Sequence, residues 1–310
     1  MDKIHDVLIL GGGPGGYTAA LYCARAGLDT LVVEKLSAGG QMALTQQIDN
    51  YPGFEEGIDG FTLGERMQQG AQRFGARTLL AEAHSVELTG PVKKIHTSEG
   101  TLQARAVILA TGAGARPLGL EREDEFTGRG LYYCAACDGM ACRGKTAVVV
   151  GGGNTAAADA LLLSRLCEKV ILVHRRGTLK ATKIYHEPLF KAPNLEFHWN
   201  SQVTALLGEG RLSGVEIRQN ETGKITRLDC AGIFVSIGRS PATELFRGQL
   251  ELDEGGYIQA DETTRTSLPG VFAVGDVRTK AVRQVVTAVG DGAAASHFAE
   301  EYLAGLDASH

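Results

Sequence analysis

The chain writes one local pattern twice. Asp6-Val7-Leu8-Ile9-Leu10 is a short apolar run that opens directly into Gly11-Gly12-Gly13-Pro14-Gly15-Gly16. An Ala-rich helical pattern follows over 17–27, then a second apolar run, Thr30-Leu31-Val32-Val33-Glu34, that ends in an acid. The second copy begins at Thr146-Ala147-Val148-Val149-Val150 and turns through Gly151-Gly152-Gly153-Asn154-Thr155-Ala156. It continues as a helical pattern over 155–166 and closes on Lys169-Val170-Ile171-Leu172-Val173 and His174. In both copies the closing residue lies 23 positions after the first glycine, 34 − 11 and 174 − 151. Strand, glycine turn, helix and second strand at this length make a βαβ unit. Two of them predict an α/β chain with two Rossmann-like nucleotide-binding domains.

The chemistry of the turns narrows this. In the first copy, Gly11, Gly13 and Gly16 satisfy G-x-G-x-x-G, with Pro14 and Gly15 between them. Glycine permits a tight turn and a close approach to pyrophosphate, and the following helix turns its N-terminus to the anion. Glu34 stands where a ribose hydroxyl is expected. In the second copy, Gly151, Gly153, Thr155 and Ala156 belong to a G-x-G-x-x-A turn that also carries Asn154. There the acid is replaced by His174-Arg175-Arg176, with Lys180 and Lys183 after it. An acid repels a 2′-phosphate and guanidinium grips it, so the second site reads as NADP. The first then reads as FAD. The strand 106–109 runs into Ala110-Thr111-Gly112 and returns the first domain's chain. The run Gly270–Asp276 is a strand ending in Gly275-Asp276, placing Asp276 to meet a ribityl hydroxyl, and Arg283-Gln284 precede a helix over 285–304. The return strand of the second domain is 232–238. Residues 1–114 and 245–310 would therefore form the FAD domain, with an NADPH domain at 115–244 inserted in it.

Between the two turns lies Tyr133-Cys134-Ala135-Ala136-Cys137-Asp138-Gly139. A C-x-x-C pair closes a small disulfide ring, and Asp138 beside it can move a proton. Inert burial, or half of a zinc site with Cys142, are the rival uses of such a pair. No second C-x-x-C or paired His stands at ligand spacing, so no metal is expected. Composition adds exclusions. A formal charge of −5 offers no basic field for nucleic acid. The six cysteines are too sparse in 310 residues for a secreted disulfide scaffold. No run of 18 apolar residues suggests a membrane span, and a cytoplasmic location is the default.

These features together resemble the low-molecular-weight thioredoxin reductase family over essentially the whole length. The resemblance is carried by 11–16, Gly39-Gly40-Gln41, Asn50-Tyr51-Pro52-Gly53, Cys134-x-x-Cys137-Asp138-Gly139, 151–156, 174–176, Gly275-Asp276 and Arg283-Gln284. It implies FAD in the outer domain, held also by Lys35, Gly40, Gln41, Asn50, Thr111, Gly112 and Val285, and NADPH in the inserted one. It implies that Cys137 lies nearer the flavin, that Cys134 attacks a thioredoxin disulfide, and that Asp138 is the acid–base group. It further implies a homodimer and a rotation of one domain against the other during turnover. Three departures stand out: Ala135-Ala136 where Thr is common between the cysteines, Asn154 where an acid is common, and Lys180 where the family carries a third arginine. Three rivals remain open from sequence: a flavin disulfide oxidase or a reductase with another donor or acceptor, a ferredoxin-serving flavin oxidoreductase, and a redox-sensing binding protein.

Overall fold

The computed structural model describes residues 3–45 and 47–308. The chain divides into two compact units, Met1–Gln46 with Tyr51–Gly114 and Ser240–His310, and Gln47–Asn50 with Ala115–Arg239. One unit is thus inserted in the other.

In the outer unit, strand Ile4–Leu10 lies between Thr30–Glu34 and Gly100–Leu109, parallel to both. Arg77–Leu80 extends the sheet beyond Thr30–Glu34. The ten-residue strand Gly100–Leu109 uses its far edge twice. Its first half pairs antiparallel with Lys93–Thr97, and its last three residues pair parallel with Val271–Ala273. Side chains alternate between the two faces of the sheet. Val7, Ile9, Val32, Ala106, Ile108 and Phe272 pack on one side with Tyr17, Ala20, Ala295 and Leu303, which come from helices Pro14–Arg25 and Val285–Asp307. Leu8, Leu10, Leu31, Val33, Val107 and Leu109 fill the other side with Ile95, Phe246 and Ile258. Burial on both faces explains the uninterrupted apolar runs. Each buried Val, Leu, Ile or Phe among them contributes about 1.5–3 kcal/mol of transfer free energy.

The inserted unit repeats the plan. Its sheet runs Leu195–His198, Lys169–Val173, Thr146–Val150, Gly232–Val235, Leu131–Tyr132, all parallel. Helix Asn154–Ser164 covers one face through Ala156, Ala157, Ala160 and Leu163. On the other face an antiparallel meander, Ser201–Glu209, Arg211–Gln219 and Ile225–Asp229, packs Val203, Leu206, Val215 and Ile217 against Val148, Val150, Ile171 and Ile233. Two expected strands end early. The run from 232 stops at Val235, and the run from 270 stops at Ala273, where Gly275 at φ +70° starts a short 3-10 turn. Among the described residues no helix is long and apolar enough to cross a membrane.

Candidate functional sites

The first glycine turn is closed by backbone contact. A Cβ on Gly11, at φ +109°, would come within 2.4 Å of the Ala110 carbonyl oxygen, and one on Gly16 within 2.0 Å of the Gly11 oxygen. Gly13 faces open space. It precedes helix Pro14–Arg25, whose first turn has no side-chain cap. Its N–H groups are therefore left for an external acceptor. Glu34 reaches back: its Oε2 accepts from Gly12 N at 2.6 Å and its Oε1 from Leu36 N at 3.0 Å. Gly39 N donates to the Gly12 oxygen, which brings Gly40 against Gly13. Ala110 N donates to the Leu10 oxygen, so Thr111 and Gly112 follow directly beside Gly11. The Gly275 turn joins them, because Val274 and the carbonyl of Ala288 pack on Gly15. Asp291 holds that turn. Its Oδ2 accepts from Gly275 N at 2.8 Å and from Lys280 Nζ at 2.7 Å, and its Oδ1 from Arg278 at 2.9 Å. Arg283 donates to the Asp276 oxygen and lies over the Tyr257 ring at 4.0 Å. Gln284 and Thr287 form a capping box at the start of the last helix, next to Val285. Lys35 donates to Glu82 at 2.6 Å, and Asn50 is grouped with the inserted unit.

The second turn has the same construction. A Cβ on Gly151 would meet the Ser236 oxygen at 2.4 Å and the Ala156 Cβ at 2.8 Å, while Gly153 is open and precedes an uncapped helix. The closing residue differs. The His174 ring lies flat enough over Gly152 that a Cβ there would sit 2.2–2.4 Å from three ring atoms. His174 is only 6% exposed, and its Nε2 is buried without a partner. Burial holds its pKa below the ordinary value, and the charges of Arg176, Arg175 and Lys180 act the same way. Trp199 stacks on Phe197 at 4.8 Å and presents an edge to His174.

Cys134 and Cys137 form a disulfide with Cα atoms 5.3 Å apart. Cys134 caps the single helical turn Ala135–Asp138, its Sγ accepting from Cys137 N at 3.2 Å. The turn lies against helix Asn154–Ser164, with Gly139 close to Leu163. Burial pushes the Asp138 carboxyl up to about 6. Just upstream, Tyr133 donates to Glu123 at 2.8 Å, and Glu123 also accepts from the backbone N–H groups of Leu118, Gly119 and Leu120. Asn50 donates to the Ala136 oxygen at 3.4 Å. Cys142 is buried apart from the disulfide, its thiol pushed up to about 11. Among the described residues no cluster of His, Cys, Asp or Glu could hold a metal. The Asp291, Glu123 and Asn154 contacts carry no sequence signal, because each is set by the folded path of a loop rather than by a repeating pattern.

Both turns fit a pyrophosphate: each is a cradle that a Cβ would fill, below an open glycine and an uncapped helix. The first adds a carboxylate, the second an imidazole whose buried Nε2 has no partner, amid three cations. Residues 5–292 match the family model for pyridine nucleotide-disulphide oxidoreductases. A thioredoxin reductase of Streptomyces clavuligerus is 46% identical, covering 99% of this chain and 96% of its own. That of Mycolicibacterium smegmatis is 46% identical with 98% of each covered. The crystal structure of thioredoxin reductase from Streptococcus pyogenes superposes with a TM-score of 0.92 at 39% identity, covering 98% of this chain and 100% of that one. With a duplicated dinucleotide turn, a C-x-x-C disulfide and these relatives, the chain belongs to the pyridine nucleotide-disulphide oxidoreductase family.

Proposed function

We infer that this chain is a flavoprotein that passes electrons from NADPH, through FAD and the Cys134–Cys137 disulfide, to the disulfide of a thioredoxin. The observation that carries the reading is a disulfide beside a carboxyl poised near neutrality, on a chain with two dinucleotide cradles. The outer unit would hold FAD through the 11–16 turn, Glu34, 40–41, 111–112 and the 275–276 turn. The inserted unit would hold NADPH through Gly151, Gly153, Thr155 and Ala156, with His174, Arg175, Arg176 and Lys180.

When bound, NADPH and FAD supply the electron pair that opens the disulfide. Cys137 receives it, and Cys134 is released as a thiolate. The Cys137 N–H already points at the Cys134 sulfur, and a hydrogen bond to the charged form favours it. Cys134 then attacks the thioredoxin disulfide to give a mixed disulfide, and Asp138 in its protonated form supplies the proton to the departing thiolate. Cys137 attacks the Cys134 sulfur, reforms the ring and releases the second thioredoxin thiol. Two electrons enter with two protons, one through Asp138 and one taken up from solvent by the second departing thiolate, and two thiols leave. A cytoplasmic homodimer belongs to the same reading, and sedimentation of the purified flavoprotein tests the dimer.

The decisive experiment is an anaerobic titration with NADPH, following flavin absorbance. The expected consumption is about two equivalents per chain, one for flavin and one for disulfide. Changing Cys134 and Cys137 together to Ser reduces it to about one. A flavin bleached by dithionite but not by NADPH would overturn the assignment of the second site.

A further inference from the structure

The cationic loop after His174 is held in place by contacts that carry no charge. Arg175, Arg176 and Lys180 all act on the buried His174, and no acid occurs between 174 and 183 to offset them. Like charges gathered on one short loop repel one another, so Coulomb forces alone would spread it outward whenever no anion is bound. Instead, three consecutive backbone N–H groups tie it to the glycine turn. Lys180 N and Ala181 N donate to the Gly152 oxygen at 2.7 and 3.0 Å. Thr182 N donates to Asn154 Oδ1 at 2.8 Å. Only the last of these uses a side chain. Asn154 is the first residue of helix Asn154–Ser164, so its amide is fixed to the same rigid element that faces the pyrophosphate.

We propose that Asn154 is a positioning residue for 2′-phosphate recognition: it clamps the 180–182 segment to the dinucleotide turn and so fixes where Lys180 presents its charge. The proposal rests on the reading of the second turn as an NADP site. Asn154 acts through the loop, so its removal should weaken ligands that carry the 2′-phosphate and spare those that lack it. The clamp also gives a physical account of the lysine. Fixing the backbone of Lys180 limits where its flexible stem can carry its point charge.

The test uses the oxidised flavoprotein and calorimetric titration with adenosine 2′,5′-bisphosphate and adenosine 5′-monophosphate, which differ at the 2′-phosphate. A wild-type protein that binds both equally would refute the NADP reading itself. Given a wild-type preference, Asn154→Ala should weaken the bisphosphate about fivefold, the scale of one lost hydrogen bond, and the monophosphate less than about twofold. In a Lys180→Ala background the same substitution should have almost no further effect, since the two residues act as one unit. Thr182→Pro removes the N–H from the other partner, and the φ of −59° at Thr182 suits the proline ring. It should reproduce the Asn154→Ala loss. Flavin content and melting temperature identify a variant that has failed to fold, in which case the other one decides. Equal weakening of both ligands, or additive effects of Asn154→Ala and Lys180→Ala, would overturn the proposal.

Discussion

Replacing Asp138 with Asn should stabilise the protein while disabling it. Burial carries this carboxyl from its ordinary 3.8 up to about 6. At about 1.4 kcal/mol per pH unit, holding it ionised in the folded protein costs about 3 kcal/mol. The sign follows from linkage. The folded pKa is raised, so the protonated side chain adds no penalty below pH 3.8. Stability is lost as pH rises from there through about 6, and the loss is complete above it. Asn keeps the shape and cannot ionise, so it escapes that loss. For a chain of this size 1 kcal/mol moves the melting temperature by about 2 °C. The variant should therefore melt about 6 °C above the wild type at pH 8, with the gap about halved at pH 5. Removing a proton donor should at the same time slow thioredoxin reduction by about 10²-fold or more. Parallel melts of the oxidised proteins from pH 5 to 8, with steady-state turnover at each pH, give both readouts. A melting gap that did not change with pH, or one that widened towards pH 5, would refute the argument that burial raises this group.

Three further outcomes follow from the same geometry. Gly16→Ala places a Cβ 2.0 Å from a backbone oxygen that has no freedom to move, so the purified protein should lose its flavin colour and melt earlier. Glu34→Gln weakens the acceptor for Gly12 N and should raise the fraction of flavin released on dilution, read by fluorescence. Cys23 and Cys230 are pushed up to about 12 and Cys142 to about 11, burial raises Cys167 as well, and all four are buried. Iodoacetamide at pH 8 should therefore label only Cys134 and Cys137 in the native, NADPH-reduced protein, which mass spectrometry checks; alkylation of Cys142 before unfolding would contradict the burial.

The sequence exposes those parts of the fold that obey a single local rule. Thr30–Glu34, Thr146–Val150 and Lys169–Val173 appear with the expected bounds because they are apolar, buried on both faces and bracketed by turn residues. The meander from Ser201 to Asp229 is different. It is half-exposed and mixes charges with apolar residues, so its pattern is diluted. Within the sites, the glycines are legible because each turn demands them. Asp291 holding Gly275, Glu123 gathering Tyr133, and Asn154 clamping Thr182 are polar contacts between separate elements, and no periodicity announces them. Lys93 makes the same point. It is 2% exposed, donating to the Gly90 oxygen, although its type would place it on the surface.

The close approach of the first and last helices has a consequence for how the protein is made. Gly292 of helix Val285–Asp307 lies where a Cβ would touch the Gly15 oxygen and the backbone of Ala19, so the two helices meet almost main chain to main chain. Strand Val271–Ala273 likewise completes a sheet begun at Ile4. During synthesis the segments from Ala115 to Arg239 leave the ribosome as one continuous stretch and can close their sheet at once. The cradle at Gly11 is translated before that stretch and is completed only after it. Loading of its cofactor must wait for the final helix, and a message cut short between Arg239 and that helix should yield an inserted unit with its strands complete but an outer unit that does not retain flavin.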